Sequence, residues 1–114
     1  MWAIDRDDDR FLGMSDKHEL IAAAQVNAVG GVISFNSNFG FDAATLTSAG
    51  VYDLELDHHH GIEKLVVNVT RNNVLFGSIQ ASLLNDKHIA VYALDAEGAA
   101  SDTPFFITVY RIRD

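Results

Sequence analysis

The sequence predicts an all-β fold, an antiparallel β-sandwich of about eight short strands in a single domain. Segments rich in β-branched and aromatic residues recur along the chain, and turn residues separate them. No helical period is sustained long enough to serve as a crossover between parallel strands. A chain of 114 residues fits one domain, because a shorter chain divided in two would bury too small a share of its surface. Hydrophobic residues make up 48% and charged residues 21%, an ordinary balance for a folded domain and far from that of a disordered one.

Residues 1–19 read as an N-terminal arm or lead-in, and residues 20–114 as one β-sandwich domain. Asp5 to Arg10 is a solvated charge run, and Phe11 to Leu20 keeps neither strand nor helix period. Leu20 to Val26 has the alanine content of a helix, but Asn27, Gly30 and Gly31 end it so soon that a strand is expected. Val32 to Phe35 is the next strand. In Val51 to Asp57, Tyr52, Leu54 and Leu56 share one face while Asp53, Glu55 and Asp57 share the other, the pattern of a strand with one wet side.

Lys64 to Arg71 places Leu65, Val67 and Val69 on one side, which is expected to be core. The Asn72-Asn73 pair that follows suits a tight turn, so a hairpin to the next strand is expected. That next run, Val74 to Leu84, is long for one strand, and Gly77 inside it marks a bulge or a close approach of another backbone. His88 to Leu94 is a strand, and Asp95 through Pro104 a loop. The final strand, Phe105 to Arg113, is apolar on both sides for most of its length, so something must cover each face.

Charge narrows the function. Sixteen acidic residues against eight basic ones leave a net charge of -8, which repels phosphate backbones and argues against nucleic-acid binding. With no cysteine, disulfides, thiolate nucleophiles and cysteine zinc sites are excluded. No apolar run approaches the roughly 18 residues of a membrane span, and the first residues lack the basic and apolar regions of a signal peptide.

Asp57-His58-His59-His60 is the most conspicuous chemical feature. Imidazole and carboxylate suit a divalent metal, and alternation would let His58 and His60 converge with His59 opposed. The same run precedes Gly61 where a turn is expected, which fits an exposed polar loop equally. Asp5 to Asp9 resembles alternating calcium-loop carboxylates, but Arg10 and Asp16 stand where glycine and glutamate are required. His18-Glu19 and Asp86-Lys87-His88 could form acid/base pairs, yet no third orienting group is evident. Nucleophile elbows, phosphate loops, dinucleotide fingerprints and zinc-protease helices are all missing, and the sequon Asn68-Val69-Thr70 falls within a strand. The sequence therefore predicts no enzyme and no resident cofactor, with His58 and His60 as the candidate ligands if a metal binds. Phe35, Asn36, Asn38 and Phe39 combine aromatic faces with amides and form a candidate ligand platform.

The stretch Gly50-Val51-Tyr52-Asp53-Leu54-Glu55-Leu56 follows a Gly-Gly-Val-Ile-Ser-Phe strand and a Phe-x-Ala-Ala-Thr-Leu segment. It resembles a strand of the trimeric jelly rolls found in complement-type and tumour-necrosis-factor-like heads. Val91 to Gly98 and Ala99 to Tyr110 resemble the ending of C-terminal β-domains in bacteriophage tail-fibre and related virion proteins. This resemblance implies a jelly-roll-like homotrimeric head on a virion or other extracellular appendage, engaged in assembly or in attachment to a cell-surface glycan or receptor. The apolar final strand independently suggests a homo-oligomer interface at Phe106, Thr108 and Tyr110. A glycan-binding module and a small metalloenzyme using His58 and His60 are the alternatives.

Overall fold

The computed structural model describes residues 18–29, 31–61, 64–73 and 77–112. The Asp5–Arg10 charge run and nearly all of the expected arm lie outside them. The described residues form eight strands: β1 (His18–Val29), β2 (Val32–Phe39), β3 (Phe41–Ser48), β4 (Val51–Leu56), β5 (Leu65–Arg71), β6 (Gly77–Leu83), β7 (His88–Asp95) and β8 (Phe105–Ile112). They build two four-stranded sheets, ordered β2-β1-β8-β5 and β3-β4-β7-β6. Every pairing is antiparallel, and the two sheets pack on each other as a β-sandwich.

The core follows from alternation. Tyr52, Leu54 and Leu56 of β4 are fully buried, and they meet Ile89 and Val91 of β7 and the inward residues of β1 and β8. Burying each such side chain contributes about 1.5–3 kcal/mol, enough for tertiary pairing to override local preference. In β1, Ala22, Ala24, Val26 and Ala28 all point inward. Helical propensity there loses to hydrogen bonding on both edges, with β2 on one side and β8 on the other.

The chain turns from the first sheet to the second at Gly40, between β2 and β3. Gly40 has φ +87°, and an added Cβ would lie 2.2 Å from the Ile21 carbonyl oxygen, so only glycine lets the corner pass this close to β1. Asn38 closes the corner with its amide, donating from Nδ2 to the Phe41 carbonyl at 2.8 Å and accepting from the Phe41 N–H at 3.2 Å. β2 consequently runs on to Phe39, four residues beyond the expected end, and β3 follows in a segment where no separate strand is expected.

The expected hairpin between the fifth and sixth strands is not formed. β5 pairs with β8 and β6 with β7, so the chain changes sheets after Arg71 instead of folding back in plane. Gly77 marks this crossing. A Cβ there would stand 2.2 Å from the Leu94 carbonyl oxygen and 2.6 Å from the Arg71 guanidinium, which is the close backbone approach its position suggested. Arg71 ties the two sheets together by donating to the carbonyls of Leu94 at 2.9 Å and Ser78 at 3.3 Å.

β8 occupies the centre of its sheet, between β1 and β5. Its inward residues Phe105, Ile107 and Val109 are buried, which accounts for one of its two apolar faces. At the end of the loop leading into β8, Tyr52 reaches across the core. Its hydroxyl accepts from the Thr103 N–H at 2.9 Å and lies 3.4 Å from Asp102 Oδ1, which accepts from the Gly50 N–H at 2.8 Å.

Candidate functional site

The outward face of the β2-β1-β8-β5 sheet gathers most of the singled-out aromatic and hydroxyl residues. Register places Phe39, Ala23, Thr108 and Asn68 in one row across the four strands, and Ser37, Gln25, Phe106 and Thr70 in the next. Leu20, Tyr110 and Val66 form a third row. Phe39 is 56% exposed and Phe106 41%, and Leu20 and Val66 are exposed beside them. Between the two phenylalanines lies a shallow, open groove of about 470 Å³ with Ala23 and Ala24 in its lining, together with Gln25, Ser37 and Thr108.

Local irregularity decides which residues reach this face. Between Gln25 and Val26 the β1–β2 register shifts, so Ser37 pairs with Gln25 while Phe35 pairs with Val26. Asn36 is the extra residue of this bulge, and the side chains on either side of it are re-aimed. Phe35 turns inward and stacks on Phe41, with ring centroids 6.2 Å apart and an interplanar angle of 21°, while Phe39 turns outward. The four residues expected to form one platform are thus divided: Phe35 packs on the core, while Asn38, which also holds the corner, and Phe39 line the groove with Phe106 and Thr108. Tyr110 lies one row away.

The face carries no charged side chain in these three rows, although the chain has a net charge of -8. In the adjoining register pair, whose side chains alternate to the other side of the sheet, Arg111 donates to Glu19 at 2.8 Å. The outward face of the other sheet differs. There Asp53 lies 3.2 Å from His88, and Glu55 3.3 Å from Lys87, interrupting the apolar side chains of Tyr92 and Leu94.

His58, His59 and His60 sit in the loop after β4, at one end of the sandwich. The His58 and His60 rings meet edge to face, 6.5 Å between centroids, while His59 turns to Asp86 at 3.0 Å. His58 instead contacts Asp57 at 2.8 Å. Partial burial lowers the His60 pKa from 6.5, and the positive charges of Arg111 and His58 push it the same way. Among the described residues, no group of three or more His, Asp or Glu side chains is arranged to hold a metal ion. Nor is any helix there long and apolar enough to cross a membrane.

Gln25, Ala23 and Ser37 were not singled out from the sequence. Their place beside Phe39 depends on the bulge at Asn36, and a single extra residue in a strand has no compositional mark. Comparison of the chain with family models, curated proteins and solved structures gives no match.

Proposed function

We propose that this domain is a non-enzymatic structural and receptor-binding module of a virion or tail-fibre-like appendage, working as a homo-oligomer. One observation carries the reading: a broad sheet face with exposed Phe39, Phe106, Leu20 and Val66 and, in its three described rows, no charged side chain, on a molecule that is otherwise strongly acidic. Contiguous exposed apolar surface of this kind marks an interaction site. The surface is open and flat and lacks an acid/base pair, which suits docking better than turnover. The β-sandwich architecture agrees with the head domains that the Val51 strand and the closing strand resemble. Light scattering across micromolar concentrations tests the reading; an oligomer is expected, and a monomer throughout would overturn it.

A glycan-binding role is the second reading, favoured by the groove itself, in which two aromatic rings flank the neutral donors and acceptors of Gln25, Ser37 and Thr108. It requires glycan-array binding that is lost in Phe39→Ala.

A further inference from the structure

We infer that the outward face of the β2-β1-β8-β5 sheet is covered by the same face of a second copy, the two sheets stacking about 10 Å apart around a two-fold axis. This rests on the oligomeric reading above and names its surface, partner and symmetry.

Charge selects the partner. Two chains of net charge -8 repel each other at most mutual orientations. Their uncharged faces are where they approach with the acidic groups held furthest apart. A basic partner would be drawn instead to the acidic positions elsewhere on the surface, and the neutral face would add nothing to its attraction.

Area agrees with this choice. At about 4.8 Å per strand and 3.4 Å per residue, four strands and seven residues give a face of about 19 by 24 Å. Pairing two such faces removes about 900–1,000 Å² in total, at the threshold of a specific interface. The dimer should therefore be weak, with a Kd between about 1 and 100 μM. Symmetry follows from there being one such uncharged apolar sheet face among the described residues. A three-fold ring needs two different complementary patches on each copy, and the outward face of the other sheet is broken by the Asp53–His88 and Glu55–Lys87 pairs. A two-fold axis needs only one patch. It sets the aromatic rings of each copy over the alanine-floored groove of the other, so both apolar faces of β8 become covered.

Sedimentation velocity on the whole chain, on Phe106→Glu and on Tyr92→Glu provides the test, with circular dichroism confirming that each variant folds. The unaltered chain is expected to pass from monomer to dimer with concentration, and to dimerise more tightly as salt rises from 0.05 to 0.5 M, because screening weakens the only long-range term. Phe106→Glu places like charges across the axis and should weaken pairing at least about 100-fold, while Tyr92→Glu on the opposite sheet leaves it unchanged. An oligomer that survives Phe106→Glu, or that Tyr92→Glu abolishes, overturns the assigned surface and leaves the oligomeric reading standing. A trimer lost in Phe106→Glu refutes the two-fold symmetry alone. A monomer at all concentrations refutes both, and if that monomer binds a glycan array through Phe39, the occupant of the face is a glycan.

Discussion

Tyr52→Phe tests how the loop before β8 is held to the core. The side chain is fully buried, and the substitution removes one oxygen while leaving the ring, which packs 5.2 Å from Phe105 between centroids. The effect therefore isolates the hydroxyl. That oxygen is the acceptor for the Thr103 N–H at 2.9 Å, and Thr103 is 1% exposed, so water cannot take its place. Leaving a buried donor without an acceptor costs about 1–3 kcal/mol. The contact with Asp102 at 3.4 Å is long for an O–H···O bond and adds little. We expect a loss of about 2 kcal/mol in urea unfolding, or about 8 °C in Tm for a domain of this length. Protein concentration must be held constant, because the proposed pairing of copies would add a concentration-dependent term. Burial raises the Tyr52 pKa above 10.0, opposed by the bond from Thr103 and reinforced by Asp102. The folded state thus holds this proton more tightly than the unfolded chain, and its contribution is complete below pH 10 and lost as pH rises through the folded-state value. Tyr52→Phe should lack that alkaline loss. A destabilisation below about 0.5 kcal/mol, smaller than the net value of an ordinary hydrogen bond, would refute the claim that Thr103 depends on this hydroxyl.

Gly40→Ala should cost more than about 2 kcal/mol in the same measurement, since it combines a left-handed backbone with a Cβ driven into the Ile21 carbonyl. His60 gives the opposite pH dependence to Tyr52. Its lowered pKa means that stability is present above pH 6.5 and falls as pH drops through the folded-state value, so His60→Gln should flatten the decline of Tm below pH 6.5. Glu19→Gln, which removes the exposed partner of Arg111, should change stability by less than about 1 kcal/mol, an effect that shrinks in salt. Zinc titrated into protein purified without a nickel column should bind below one equivalent at micromolar concentration, since among the described residues no third His, Asp or Glu is arranged with the two imidazoles to hold a metal; stoichiometric binding abolished by His58→Ala would contradict this.

Where one face of a strand meets water, the sequence reveals the strand clearly. The alternation of Tyr52, Leu54 and Leu56 against Asp53 and Glu55 identifies β4 and its orientation, and all three apolar residues are fully buried. β1 is harder to read, because its inward positions are mostly alanine and one of its two partners lies at the far end of the chain. Its paired residues on β8, which flanks it, lie from 79 (Val26 to Phe105) to 94 (His18 to Ile112) positions away. Local composition carries no record of such a pairing. The break between β5 and β6 failed for a related reason: Asn72-Asn73 announces a turn, but whether a turn stays in one sheet or crosses to the other depends on what Gly77 must pass.

The candidate surface shows the same division at finer scale. Composition alone drew attention to Phe39 and Phe106, yet they lie on strands that are not even neighbours, joined only through β1. What unites them is the bulge at Asn36, which turns Phe39 outward and Phe35 inward. Without it, strict alternation would put Phe35 and Phe39 on the same side, either both in the core or both in solvent. The bulge lets one strand serve the interior and the outward face in turn. Deleting Asn36 would restore plain alternation, moving Phe39 off the face or Phe35 out of the core. We therefore expect that deletion to impair both stability and self-association, whereas Phe39→Glu impairs association alone; urea unfolding and sedimentation of the two variants would separate these outcomes.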